Sequence, residues 1–238
     1  MSPAEQVGTA PTSLSVPAPG LEDPTRDSQQ VFRAALEALA RPGAPQSVAG
    51  PAGAPDALGP ALAGVLLTLL DAESPVHLAG GLGEDEDVRT HLSFHTGAPI
   101  VEDAARADMI VAAPADVPRL GGLSLGTDEA PHRSATVIID ARATGTGADT
   151  GTGAGTAPSA GTAPNSPALE ATGPGIESTV VLRTPWARPG LIEERARLAE
   201  LFPRGVDLLV VAENTILGLP RTTRLRTAAA QPTTPEEA

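Results

Sequence analysis

Residues 142–167 carry no aliphatic or aromatic side chain larger than alanine, apart from proline rings. A stretch with so little to bury cannot help to build a core, so the chain must fold from the segments on either side and carry this tract as a surface insertion. The first 24 residues are similarly rich in Pro, Ala, Gly and Ser without apolar period, and RTAAAQPTTPEEA closes the chain in the same way. These three regions are expected to be a disordered tail over 1–24, an insertion over about 142–167 and a second tail over 227–238. One α/β domain over 25–226 remains. The 25 glycines and 25 prolines cluster outside its periodic segments, as low-complexity additions do.

Within the domain, helical and extended patterns interleave. Asp27 and Gln30 form a capping pair, Phe32, Ala35, Leu36 and Leu39 share a face, and Pro42-Gly43 ends this first helix. Pro60 opens a second helix through Ala61–Asp71, apolar on nearly every side and therefore expected to be covered on all sides. Pro75–Leu78, Asp108–Ala112 and Ser134–Asp140 read as strands, the last with the continuous β-branched character of a strand buried on both faces. The acidic run Glu84–Asp87 starts a helix leading to Phe94. Leu169–Thr172 and Thr179–Leu182 flank the turn Gly173-Pro174-Gly175, and Leu191–Phe202 is an amphipathic helix stopped by Pro203. A hairpin across Glu213-Asn214 closes the body, which requires antiparallel pairing within an otherwise interleaved α/β order. The expected architecture is a mixed sheet covered by helices.

Absences restrict the chemistry. The chain has no lysine, cysteine or tyrosine, and its 16 basic residues are all arginines. Schiff-base chemistry on pyridoxal phosphate, a Walker A lysine, thiol catalysis and iron–sulfur ligation are therefore excluded within this chain. A net charge of −13 argues against nucleic acid or an anionic membrane as main partner. The amino-terminal residues lack the basic and apolar regions of a signal peptide. Ala61–Leu70, the one strongly apolar block, is about half the ~20 residues that a membrane span needs. The expectation is a cytoplasmic protein.

Four motifs could carry chemistry. Gly122, Ser124 and Gly126 match the nucleophile elbow G-x-S-x-G, with His132 as a possible base, but a proline-containing loop precedes the serine and no helix follows. His91 and His95 stand four apart on a helix and could share a metal with a carboxylate from Glu84–Asp87, yet no third ligand lies at a telling interval, so no metal site is assigned. The glycines of the insertion never complete G-x-G-x-x-G. Arg221, Thr222 and Thr223 offer a guanidinium and two hydroxyls, an anion-binding set or else a salt bridge and two strand-end hydroxyls.

Six segments in order resemble the PhnH family of the bacterial carbon–phosphorus lyase system: DSQQVFRAALEALARPG, VLLTLLDAESPVHL, SFHTGAP, Gly126-Thr127 leading into Pro131, TGPGI, and FPRGVDLLVV with GLPRTT. The resemblance implies a three-layer sandwich like the large domain of pyridoxal-phosphate transferases, without that cofactor. It further implies a homodimer when isolated and a place beside PhnG, PhnI and PhnJ, with the ATPase-like PhnL, in making ribose 1-methylphosphonate 5-triphosphate from ATP and methylphosphonate. No catalytic residue is implied. If ATP or a phosphonate nucleotide binds, the motif members Arg33, His95, Thr96, Gly173, Gly175 and Arg221, with Thr222 and Thr223, are the candidates. A self-sufficient serine hydrolase using Ser124 and His132 is the alternative.

Overall fold

The computed structural model describes residues 17–142 and 168–227. The expected insertion from 143 onward, with its glycines, and the outer parts of both expected tails lie outside the described residues. In chain order the elements are α1 (Pro24–Ala40), β1 (Gln46–Ser47), α2 (Gly59–Leu69), β2 (Val76–Leu78), α3 (Gly81–Glu84), α4 (Glu86–Thr96), β3 (Met109–Ala112) and β4 (Thr136–Asp140). After the undescribed stretch come β5 (Ala168–Thr172), β6 (Val180–Arg183), α5 (Leu191–Leu198), β7 (Asp207–Val211), β8 (Thr215–Leu219) and β9 (Arg224–Thr227).

A six-stranded mixed sheet in the order β1-β8-β7-β4-β3-β2 forms the centre, with β2, β3, β4 and β7 mutually parallel and β8 running antiparallel to both its neighbours, β7 and β1. Its parallel strands are buried on both faces. Ile138, Leu209 and Val211 face a core shared with α1, α2 and α4, while their neighbours Val137, Ile139, Leu208 and Val210 face a second core with Trp186 and Leu191. This is the period-two consequence of near-continuous aliphatic runs. The second face is covered by α5 and a three-stranded antiparallel sheet, β6-β5-β9, as well as by loops. The sequence pattern predicts helices over the sheet but not this small sheet, because β9 carries only one apolar residue in RLRT.

Two local expectations change. Helix α1 begins a turn earlier than Asp27, with Asp23 as N-cap accepting from the Arg26 amide and Pro24 in the first turn; the Asp27 carboxylate reaches back to the Asp23 amide at 2.9 Å. Its buried face is Val31, Ala35 and Ala38, whereas Phe32 and Leu36 are 49% and 52% exposed. The cause is close approach of backbones. A Cβ added at Gly218 of β8 would lie 2.5 Å from the Ala38 carbonyl carbon, so only small residues fit beneath the helix and the bulky ones turn outward. The residues just before α1 also depart from the expected loose tail, for reasons given with the histidines below.

Replacing Gly218 with alanine should therefore lift α1 from the sheet and destabilise the fold by roughly 1–3 kcal/mol. Chemical denaturation of the two proteins would measure it, and equal midpoints would contradict this account of the contact.

Candidate functional site

Asp207 opens β7 at the end of the sheet where β8 finishes. Its Oδ1 accepts from the Arg221 backbone amide at 2.6 Å and from Nε at 3.2 Å, and its Oδ2 accepts from Nη2 at 2.5 Å. The Arg221 guanidinium also donates through Nη1 to the carbonyls of Pro131 at 2.7 Å and Pro203 at 3.4 Å, and through Nη2 to the Ser134 hydroxyl. All five N–H groups of the fork are thus engaged inside the protein. No donor is left over for an external anion. Of its two neighbours, Thr223 is buried, with an Oγ1 that has no hydrogen-bond partner among the described residues, and Thr222 is half-buried.

Arg195, on α5, lies beside this pair. It donates to the carbonyls of Val206 at 3.2 Å, Leu219 at 2.9 Å and Pro220. Burial pushes its pKa down to about 10, partly opposed by the Asp207 charge and further lowered by Arg221, so it remains a cation at neutral pH. No chemistry-bearing motif of the sequence marks either Arg195 or Asp207. A signal for the first existed: Leu191, Arg195 and Leu198 share one helical face, which puts a charge where the core is expected.

Gly173 and Gly175 belong to the turn between β5 and β6. A Cβ at Gly175, where φ is +82°, would lie 2.0 Å from the Ala40 carbonyl oxygen, and one at Gly173 would lie 2.9 Å from that of Thr222. The glycines therefore let the turn close on the end of α1 and on the Arg221–Thr223 segment. Gly173, Gly175, Arg221, Thr222 and Thr223 form one neighbourhood, and the contacts seen there are internal to the protein.

His95 and Thr96 lie elsewhere, at the C-terminal end of α4. Thr96 donates to the Leu92 carbonyl at 2.7 Å and accepts from the Ala98 amide at 3.1 Å, which finishes the helix. His95 Nε2 and His91 Nδ1 both donate to the Ala18 carbonyl, at 2.8 and 3.2 Å, and the two rings meet edge-on at 4.6 Å. Gly20 abuts the His95 ring. The imidazoles thus hold residues 18–20, inside the region expected to be a tail, against α4. Because His91 Nδ1 must carry the proton, its buried Nε2 is a lone pair without a partner among the described residues. No group of three or more metal-ligating side chains occurs among the described residues.

Arg33 stands apart again. It lines an open groove of about 610 Å³ along α1 and β1 with Arg26, Gln29, Gln30, Gln46 and Ser47. The one carboxylate there, Glu37, is taken by Arg41 at 2.9 Å. A further crevice, of about 470 Å³, lies beyond the carboxyl ends of β2 and β3 and is lined by His77, Gly80, Arg89, Glu102 and Asp116. The topology places it. Ile100 pairs in parallel with Val76 on the outer edge of β2, so the chain runs outward from β2 by way of α4 and returns across the other face through Ala104 and Ala107 to β3. Connections leaving neighbouring strands in opposite directions open such a crevice.

Ser124 does not sit on an elbow. Its hydroxyl donates to the Arg133 carbonyl at 2.8 Å rather than to an imidazole, and the residue after it bridges to Ser134 instead of entering a helix. No geometric observation supports the hydrolase alternative.

A family model described as bacterial phosphonate metabolism protein (PhnH) matches residues 19–226. The chain belongs to the PhnH family. It is 32% identical over 205 residues to the alpha-D-ribose 1-methylphosphonate 5-triphosphate synthase subunit PhnH of Rhizobium meliloti, covering 85% of this chain and 92% of that protein. It is also 33% identical over 108 residues to a putative C-P lyase subunit protein, HtxG, of Stutzerimonas stutzeri, covering 45% of this chain and 43% of that one. The family match starts at residue 19, within the segment that the two histidines hold.

Two measurements test these assignments. Changing Asp207 to asparagine leaves two guanidiniums without their shared carboxylate and should cost about 3 kcal/mol in a denaturant titration; a loss below about 0.5 kcal/mol would refute the role given to it. The histidine clamp should be sensitive to acid. Burial, then the nearby His95, hold the His91 pKa below its ordinary 6.5. A lowered native value means that its contribution is full above pH 6.5 and is lost as pH falls from there through the native value. The carbonyl carbon shift of Ala18, which reports the two hydrogen bonds it accepts, should therefore move toward its unbonded value as pH falls from 7.5 to 5, and a shift that stays constant would contradict the clamp.

Proposed function

We propose that this chain is a subunit of a carbon–phosphorus lyase system, acting in the synthesis of ribose 1-methylphosphonate 5-triphosphate from ATP and methylphosphonate as a binding and assembly component rather than an independent catalyst. One observation carries the assembly role. The chain has three phenylalanines, and Phe32, Phe94 and Phe202 are 49%, 69% and 64% exposed, while the core is built from aliphatic residues and Trp186. Aromatic side chains held outward in this way suit contact with other proteins. The saturation of Arg221 supports the same reading, because the most reactive-looking cluster in the sequence serves the fold.

On this reading the partners are PhnG, PhnI and PhnJ, with PhnL, and the isolated chain pairs with a second copy. It works in the cytoplasm; no described helix is long and apolar enough to cross a membrane. Its likeness to the large domain of pyridoxal-phosphate transferases is then one of scaffold alone, since no lysine is present to carry the cofactor. If the subunit contacts the triphosphate, the Arg26–Arg33 groove is the better place than Arg221, for neither of its guanidiniums is engaged within the described residues.

The test is co-purification with tagged PhnG, PhnI and PhnJ, followed by assay of the ATP-dependent step with and without this chain. Activity should require all components, and turnover by this chain alone would overturn the proposal. Calorimetry against ATP, a ribose triphosphate phosphonate and methylphosphonate separates ligand contact from pure assembly. Where heat is seen, Arg33→Ala should weaken binding about tenfold.

A further inference from the structure

We infer that the outer face of the β6-β5-β9 sheet is a docking surface for an acidic patch on a protein partner. Pairing registers and burial define that face. Leu169, Ala171 and Leu182 point into the core and are at most 3% exposed. The alternate residues therefore point outward: Val181 and Arg183 on β6, Ala168, Glu170 and Thr172 on β5, and Arg224 and Arg226 on β9. Arg183 stands opposite Ala168, Arg226 opposite Glu170 and Arg224 opposite Thr172. Three arginines thus share a small face with one carboxylate, on a chain whose net charge is −13.

None of the three is in an ion pair or a side-chain hydrogen bond among the described residues, in contrast to Arg142, Arg188 and Arg221. Arg224 and Arg226, two residues apart on one face of β9 and so about 7 Å from each other along the strand, repel one another within a Debye length of roughly 8–10 Å, and Arg183 adds its charge from across β5. A covering carboxylate surface would relieve that repulsion. Val181, 45% exposed, adds apolar contact beside the arginines, and arginine with apolar surface is the composition of interface centres.

The occupant follows from charge. Residues 143–167, which lead directly into β5, hold a single charged side chain, Asp149, and cannot neutralise three arginines. A nucleic acid would extend beyond this face over a molecule of net charge −13, whereas a local acidic patch on a folded partner would meet only the complementary surface. The inference rests on the assembly reading above, and within it the partner is one of the companion subunits.

The closing experiment uses the full chain with tagged PhnG, PhnI and PhnJ. If the unaltered chain fails to join them, the assembly reading itself falls. If it joins, the triple change Arg183→Glu, Arg224→Glu and Arg226→Glu should weaken association about tenfold or more and flatten its salt dependence. Arg106→Glu with Arg119→Glu, the same kind of reversal at exposed arginines near β3, should change it far less. Equal association by the triple variant would overturn the proposal. A measurement without mutation guards against misfolding: arginine-directed phenylglyoxal labelling, read by mass spectrometry, should be suppressed at these three positions in the assembly and not in the free chain. Suppression that persists in the free chain and vanishes on changing Glu236 and Glu237 to glutamine would assign the face to the chain's own tail and refute a partner there.

Discussion

Asp207 is the residue on which the two halves of the molecule turn. Its carboxylate takes three donors from Arg221, which ties the start of β7 to the end of β8, and its charge lies beside the buried Arg195 of α5. Through Arg221 the same centre reaches the carbonyls of Pro131 and Pro203 and the hydroxyl of Ser134. One carboxylate thus holds the hairpin, the loop entering β4 and the helix of the second layer in register. In a partly buried setting the cost of removing such a group comes mostly from the cations left behind.

The same device recurs at smaller scale because arginine is the chain's sole long cation. Arg188 grips both oxygens of Glu194 at 2.9 and 3.1 Å and donates to the carbonyls of Val117 and Pro118, fastening α5 to the loop after β3, whose regular structure is limited to short 3-10 turns. That grip holds the Glu194 carboxyl below its usual range. Arg142 does likewise with Asp140 and the carbonyls of Asp56 and Ala57. A planar fork can satisfy a carboxylate and two backbone oxygens together, whereas an ammonium is a more compact point charge without that preset geometry. Arginines spent in this way are scaffold. Those left unpaired among the described residues, including Arg26 and Arg33 on α1 and the three on the small sheet, are free for ligands and partners.

The parallel strands and α2 were legible because their side chains carry one message: Val137–Ile139, Leu208–Val211 and Leu62–Leu66 are apolar whichever way they face. Helix α1 was legible as a helix but not as a surface. Its outward Phe32 and Leu36 follow from how closely β8 approaches at Gly218, a distance that no periodicity contains. The candidate site divides in the same way. Arg221 stood out by type, yet its partners Asp207, Pro131, Pro203 and Ser134 are up to 90 residues distant. The pairing of His91 and His95 was plain from their spacing, while the carbonyl they share belongs to Ala18, more than 70 residues away.

Composition and local periodicity by themselves determined most of the element types, the mixed sheet and the exclusion of lysine- and thiol-based chemistry, because each depends on residue identity within short windows, while the family was legible from the resemblance of six motifs in order. The tertiary structure alone decided which arginines are spent and which are free, which aromatic residues face outward, and that β9 completes a second sheet. Those outcomes depend on what lies across space from each side chain. A guanidinium reads identically in sequence whether it is locked on a carboxylate or turned to solvent.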